Sequence, residues 1–280
     1  MSGIDAADPG QALARILGLA DDLDIRDRKR LLAAAAGVEP GRLALLGVAD
    51  FTDAVVARFL AQADRRRRGE PVSHILGWRD FWKHRFEVTP EVLDPRPETE
   101  ILVAAALERP WRRVLDLGTG SGAILVSLLA ERPETRGVGI DISSAALLVA
   151  GRNAAAIGVA GRLVLTPSDW YADMGSRYDL IVSNPPYIAA SEMPGLAPEL
   201  AHEPRGALTD EGDGLSAYRV ICAGAPGHLE PGGWLMVEIG PRQGAAVAGL
   251  MRAAGLENVS VRADLDGRDR VVMGEMPRQP

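Results

Sequence analysis

The stretch Val114-Leu115-Asp116-Leu117-Gly118-Thr119-Gly120-Ser121-Gly122-Ala123-Ile124-Leu125-Val126 decides the fold. A short β-like run meets three glycines at alternate positions, and an apolar run able to open a helix follows. Such a turn is the ligand corner of an open parallel sheet, since bare backbone there can approach a bound molecule closely. A dinucleotide fold calls for G-x-G-x-x-G, so that the helix N-terminus seats a pyrophosphate; here the third glycine is Gly122 and position 123 is Ala123. The G-x-G-x-G form suits a nucleoside without a diphosphate seat. Asp141, ending the next β-like run, is then placed to accept hydrogen bonds from both ribose hydroxyls.

Outward from this turn, β-like runs at 137–141, 163–166, 178–183 and 234–239 are mostly separated by helical patterns, and the tail adds runs at 258–262 and 270–274. This alternation predicts an α/β, doubly wound, mostly parallel sheet. The first ninety residues differ. Asp8-Pro9 and Asp24 are helix starts, Gly37 is a left-handed stop, and a third helix is expected from near Asp50 to the Arg65–Arg68 run. Five prolines and glycines among clustered aromatics at 70–100 predict a hairpin or extended link. The expected organisation is a helical bundle at 1–75, a hairpin linker at 76–100 and a catalytic domain at 101–280.

Composition narrows the function classes. The 280 residues are 47% hydrophobic and 25% charged, ordinary values for a folded globular chain. Cys222 is the single cysteine, which excludes an internal disulfide and a zinc cluster, and the four histidines lack metal-ligand spacing, so no metal is expected. No apolar run approaches the roughly 20 residues of a membrane span, and Asp5 and Asp8 precede any basic residue, so a cytoplasmic address is expected. Residues 1–90 hold 14 Lys+Arg against 13 Asp+Glu, while residues 91–280 hold 17 against 25. The larger part is therefore acidic and ill-suited to grip a phosphate backbone.

The run Tyr178–Ser183 ends in Asn184-Pro185-Pro186-Tyr187. Two prolines stop the ladder because neither has an N–H to donate, but their carbonyls still accept. A rigid carbonyl beside the Asn184 side-chain oxygen, with the Tyr187 ring nearby, suits a planar group bearing an NH2: each hydrogen finds an oxygen and the flat group stacks. Bond formation at such a conjugated nitrogen needs alignment and stabilisation of growing positive charge more than an acid–base pair.

Asp116, the glycine turn and Asp141 together resemble the first two motifs of Rossmann-like S-adenosylmethionine-dependent methyltransferases, and Asn-Pro-Pro-Tyr is similar to the motif of those that methylate amino groups on planar systems. Further segments, Arg68-Gly69-Glu70-Pro71, Ile75-Leu76-Gly77, Pro95-Arg96-Pro97-Glu98-Thr99-Glu100, Glu203-Pro204, Asp213-Gly214-Leu215 and Glu238-Ile239-Gly240, extend the likeness over roughly residues 65–275. Together they look like the peptide-chain-release-factor glutamine N5-methyltransferase family. The resemblance implies a mostly parallel seven-stranded sheet behind a small helical domain, with S-adenosylmethionine converted to S-adenosylhomocysteine. It implies methylation of the glutamine in the Gly-Gly-Gln loop of class 1 release factors. Gly118, Thr119, Gly120, Ser121, Gly122, Asp141, Trp170 and Asn184 are implied cofactor contacts, with Trp170 flanking the adenine. Asn184, Pro185, Pro186 and Tyr187 are implied to hold the amide, and Asn184, Pro185 and Tyr187 to serve catalysis. Asp94 and Trp82-Lys83-His84 depart from the family pattern, which usually has an apolar residue at the first position and a more glycine-like turn at the second.

Three alternatives remain open. A glutamine methyltransferase acting on a ribosomal protein would use the same amide chemistry. An adenine-N6 DNA methyltransferase would share the reaction centre but needs a basic groove for a flipped base. A non-catalytic binding protein would retain the fold without the transfer. The leading expectation is a monomeric enzyme with a protein partner and no direct nucleic-acid or membrane contact, whose N-terminal part, with its arginine run, recognises the partner.

Overall fold

The structure is a computed structural model that describes residues 8–172 and 174–278. It divides into two compact units, Met1–Gly77 and Trp78–Pro280.

In the smaller unit, α1 (Pro9–Leu17) starts where the Asp8 carboxylate accepts from Gly10 N at 3.0 Å, with Pro9 needing no partner for an absent N–H. Helix α2 (Ile25–Ala35) is capped by Asp24 and followed by Gly37 at φ +71°. The third helix, α3 (Asp53–Arg67), begins later than Asp50, because residues 48–50 close a separate 3-10 turn in which Asp50 accepts from Gly47 N, and Thr52 takes the cap instead. A short α4 (Val72–Leu76), not expected from the sequence, ends at Gly77, φ +79°. Ala12, Ile16, Leu31, Leu32 and Phe59 form the shared core. The arginine run, read from the sequence as a helix end and as part of the surface that recognises a partner, is largely engaged inside this unit. Arg65 pairs with Glu70, Arg66 with Asp27 across to α2 at 2.7 Å, and Arg67 with Asp22 and Asp64.

The larger unit opens with an antiparallel hairpin, β1 (Trp78–Phe81) and β2 (His84–Glu87), in which Phe81 pairs with His84. Trp82 takes the left-handed turn position usually filled by glycine, φ +55°. The strain is offset by two bonds: its backbone N–H donates to Glu100 at 2.7 Å and its indole to Glu131 at 2.8 Å.

Then follow α5 (Glu100–Leu107), β3 (Arg113–Leu117), α6 (Ala123–Glu131), β4 (Arg136–Asp141), α7 (Ser144–Ile157), β5 (Leu163–Pro167), β6 (Tyr178–Ser183), α8 (Arg205–Leu208), α9 (Ser216–His228), β7 (Leu229–Glu238), α10 (Gly244–Ala253), β8 (Glu257–Ala263) and β9 (Asp269–Glu275). The seven strands lie in the order β5-β4-β3-β6-β7-β9-β8, with only β9 antiparallel to its neighbours. Alternate residues of the central strands face opposite layers. Val114, Leu180, Val182 and Met236 meet α5 and α6, while Leu115, Leu117, Ile181 and Leu235 meet α9 and α10. In β4, a Cβ on Gly137 would stand 2.6 Å from the Leu125 side chain, so the bare backbone is what lets α6 sit this close to the sheet. The chain winds outward from β3 through β4 and β5, then returns to β6 on the other side of β3. The carboxyl ends of β3 and β6 are therefore a topological switch point, where open sheets bind ligands.

Candidate active site

The parallel register pairs Asp116 with Val182 and Leu117 with Ser183, so the glycine turn and the Asn-Pro-Pro-Tyr turn leave the sheet side by side. The buried Ser183 hydroxyl donates to Leu117 O at 2.6 Å and ties the two strand ends together. Between and above them lies a cavity of about 370 Å³.

One wall is the glycine turn. Gly118, Gly120 and Gly122 all have positive φ, +71°, +54° and +80°. Their surroundings differ: a Cβ on Gly118 or Gly120 would meet nothing within 4 Å, whereas one on Gly122 would lie 3.2 Å from Ala150 Cβ and 3.3 Å from Val126 Cγ2. The first two keep backbone bare towards the cavity; the third lets α7 pack against the turn. Asp141 stitches the turn to its own strand end, accepting from Gly120 N and Ser143 N at 2.9 Å each, which leaves further lone pairs on both oxygens. Behind it, Thr119 Oγ1 donates to Asp116 Oδ2 at 2.7 Å. Burial pushes the Asp116 carboxyl up to about 7 against that hydrogen bond, and the nearby Asp141 charge adds to the rise.

The lining comprises Gly118, Thr119, Gly120, Ser121, Asp141, Trp170, Asn184 and Pro186, together with Asp94, Pro95, Arg96, Thr99 and Ile142. Trp170 lies here in a left-handed conformation, φ +50°, its carbonyl held by the Ser168 hydroxyl at 3.1 Å. Gly122, Pro185 and Tyr187, grouped with the site by sequence, are absent from the described lining. Gly122 sits behind the turn. Pro185 is buried, and the Tyr187 ring packs at 3.4 Å from where a Gly240 side chain would begin, its hydroxyl pushed up to about 12 by desolvation.

Asn184 is the informative residue. Its Nδ2 donates to Thr99 Oγ1 at 3.4 Å, while its Oδ1 is buried without a hydrogen-bond partner in the protein. An orphaned buried acceptor on a ligand cavity is a place for an incoming N–H, since leaving it unpaired costs roughly 1–3 kcal/mol.

Residues that local sequence reading missed hold these turns. Gln243 is a three-way clamp: its Nε2 donates to Tyr187 O at 2.9 Å and Gly214 O at 3.1 Å, and its Oε1 accepts from Gly240 N at 2.9 Å. Asn153 bridges the glycine turn and the hairpin, donating to Ser121 O and Glu87 O and accepting from Glu87 N at 2.7 Å. Asp94, the departure noted in the sequence, is 2% exposed and has cationic neighbours, Arg79 at 3.6 Å and Arg96 at 3.8 Å. Arg96 also pairs with the buried Glu203, whose carboxyl is raised by burial.

This sheet order, with a glycine turn and an acidic residue at the switch point and Asn-Pro-Pro-Tyr on the adjoining strand, defines a Rossmann-like methyltransferase. The family described as Methyltransferase small domain matches residues 93–219, and a methyltransferase of Pyrococcus furiosus of known structure shares the fold, with a TM-score of 0.53 at 16% identity over 69% of this chain and 88% of that one. The family described as PrmC N-terminal domain matches residues 11–77. The release factor glutamine methyltransferase of Cereibacter sphaeroides is 55% identical over 267 residues, covering 95% of this chain and 96% of that protein. That of Burkholderia pseudomallei is 46% identical over 280 residues, covering 96% and 98%. The chain belongs to the release factor glutamine methyltransferase family.

Proposed function

We propose that this enzyme transfers a methyl group from S-adenosylmethionine to the side-chain amide nitrogen of the glutamine in the Gly-Gly-Gln loop of class 1 peptide chain release factors. The observation that carries the reading is the buried, unpartnered Asn184 Oδ1 on a cavity that the glycine turn also lines. Family membership supports it, since the curated relatives are named release factor glutamine methyltransferases.

The residues present fit the cofactor. Bare backbone at Gly118 and Gly120, spare acceptor capacity on Asp141 and a cavity of about 370 Å³ suit a nucleoside with a short cationic chain. Gly118 to Gly122 and Asp141 would hold it, with Trp170 flanking the base and Asn184 bordering the reacting end. Bound there, S-adenosylmethionine supplies a methyl group already activated on a sulfonium. The chain's own work is positioning. Asn184 Oδ1 accepts a hydrogen of the amide, which draws the nitrogen lone pair out of conjugation and stabilises positive charge growing on nitrogen; Pro185, outside the described lining, has only the family resemblance behind its role as a second acceptor. Pro186 walls the cavity, and Tyr187 holds the turn rigid from the Gly240 side.

The smaller unit is assigned to recognition of the release factor. Among the described residues no helix is long and apolar enough to cross a membrane. Purified release factor incubated with the enzyme and methyl-labelled cofactor should gain one methyl on the Gly-Gly-Gln glutamine. Label on a ribosomal protein or on adenine in DNA, with none on the release factor, would overturn the assignment.

A further inference from the structure

Trp170 holds a left-handed backbone, φ +50°, which an L residue seldom takes unless its surroundings fix it. The fixing contact is made one residue later. The Tyr171 ring lies in a notch on α9 at Gly224, where an added Cβ would stand 2.3 Å from Tyr171 Cδ2, so only glycine leaves room for it. One helical turn on, the half-buried His228 stacks on the same ring, with centroids 4.4 Å apart and planes 18° from parallel. The Tyr171 hydroxyl donates to Ile221 O at 3.0 Å. The loop folds back on itself, with Ala172 N donating to Asp169 O at 3.1 Å and Met174 N to Tyr171 O at 3.0 Å.

Both nitrogens of the His228 ring meet carbonyl oxygens: Nδ1 lies 2.8 Å from Gly224 O on its own helix, and Nε2 lies 2.9 Å from Met174 O on the Trp170 loop. A carbonyl only accepts, so each nitrogen needs a hydrogen, and an imidazole carries two only as the cation. A neutral ring would turn one lone pair on a carbonyl oxygen and give up one of the two bonds. The cation also gains from the aromatic face of Tyr171 and from its place in the last turn of α9, whose dipole favours positive charge. Arg177 opposes it, since its guanidinium donates to Pro226 O at 3.2 Å and Leu229 O at 2.5 Å, on either side of His228. Tyr171 and the adjoining Cys222 are both pushed up by burial, the thiol to about 12, so neither titrates near neutrality.

We propose that His228, as the imidazolium, is a positioning residue for the cofactor: it ties the Trp170 loop to α9, so that S-adenosylmethionine affinity depends on the protonation of this ring. The inference rests on the reading of Trp170 as the residue that flanks the base, and adds what holds that residue in place.

The test is calorimetric titration of S-adenosylmethionine into the full chain at about pH 5.5 and about pH 8.5, on the two sides of the ordinary imidazole range. His228→Phe keeps a ring on Tyr171 and removes both hydrogen bonds. It should bind the cofactor about fivefold more weakly than wild type at the lower pH and within about twofold at the higher one. Comparing the two chains at each pH cancels the titration of the cofactor itself and of other groups. Gly224→Ala, which unseats Tyr171, should weaken binding about fivefold or more at both pH values. A second readout needs no cofactor. The chain has four histidines, so 15N-histidine labelling yields four rings, with that of His228 identified by its loss in His228→Phe. At about pH 5.5 both of its nitrogens should carry hydrogens that exchange slowly with water. The same Kd ratio between wild type and His228→Phe at both pH values would overturn the proposal, as would a ring with a single N–H at the lower pH, or cofactor binding by Gly224→Ala as tight as wild type. If wild type does not bind S-adenosylmethionine, the cofactor reading falls, and the ring measurement alone decides whether the clamp exists.

Discussion

Gly120 and Gly122 share a turn, a left-handed backbone and a place in one motif, yet the structure gives them different duties, and an alanine in each should separate those duties. At Gly122 two costs add. A non-glycine residue at φ +80° costs about 1–2 kcal/mol, and a new Cβ 3.2 Å from Ala150 Cβ, 3.3 Å from Val126 Cγ2 and 3.4 Å from Ala150 Cα pushes α7 off the turn for about 1–3 kcal/mol more. Gly122→Ala should therefore destabilise the larger unit by about 3 kcal/mol, a fall in Tm of roughly 6–12 °C. At Gly120 only the first cost applies, because nothing lies within 4 Å of the added atom. Gly120→Ala should lose about 1 kcal/mol of stability, roughly 2–4 °C, but its methyl stands in the cavity and should weaken S-adenosylmethionine binding by about tenfold or more. Thermal unfolding without cofactor, followed by calorimetric titration of the same samples, measures both quantities. Equal Tm losses in the two variants, or cofactor affinity reduced more by Gly122→Ala than by Gly120→Ala, would refute the division of labour.

Asn184→Ala removes the orphaned acceptor, and kcat for glutamine methylation should fall by about 10²–10³ while cofactor affinity falls far less; a kcat within a fewfold of wild type would remove Asn184 from the chemistry. Gln243→Ala breaks three hydrogen bonds that join the Tyr187, Gly214 and Gly240 backbones, so the urea midpoint should drop by an amount equivalent to about 1–3 kcal/mol and KM for the release factor should rise more than kcat falls. Asp116 predicts a pH effect of a defined sign. Its folded carboxyl titrates at about 7 against an ordinary 3.8, so between these values the folded chain holds a proton that the unfolded chain has released. Stability should thus decline as pH rises from about 4 to 7, by up to about 1.4 kcal/mol per pH unit, and level off above. Glu238, also pushed up to about 7 by burial, adds a slope of its own, so Asp116→Asn should remove one share of the decline and leave the other in Tm measured from pH 5 to 8.

The parallel sheet was legible because β3, β6 and β7 are apolar on both faces, and their runs stand out wherever glycine or proline ends them. The glycine turn and Asn184-Pro185-Pro186-Tyr187 were legible for the same reason: local backbone chemistry marks them. The start of β7 was not. The strand opens at Leu229 rather than Trp234, because a register shift against β6 carries the chain through Glu230-Pro231-Gly232-Gly233, which reads locally as a turn. The supporting contacts were equally hidden. Asn184 meets Thr99 across 85 positions, Gln243 meets Tyr187 across 56 and Asn153 meets Glu87 across 66, and no helical or strand period links residues so far apart. The arginine run shows the same limit from the other side: nothing local in four adjacent charges tells which acidic residues they meet, yet Glu70, Asp27 and Asp22 are folded against Arg65, Arg66 and Arg67.

The hairpin has a further consequence for solubility. A two-stranded ribbon leaves backbone donors and acceptors along both outer margins, where an unfolded or neighbouring chain could add a strand and start aggregation. On the β2 side, the Asn153 side chain occupies that margin at Glu87, giving one N–H and taking another as a third strand would, while Arg152 forks onto the Glu87 carboxylate. One amide side chain on α7 thus acts as a dummy strand. It blocks intermolecular pairing at the Glu87 end of β2, the point where the hairpin ribbon leads on into the wall of the reaction cavity.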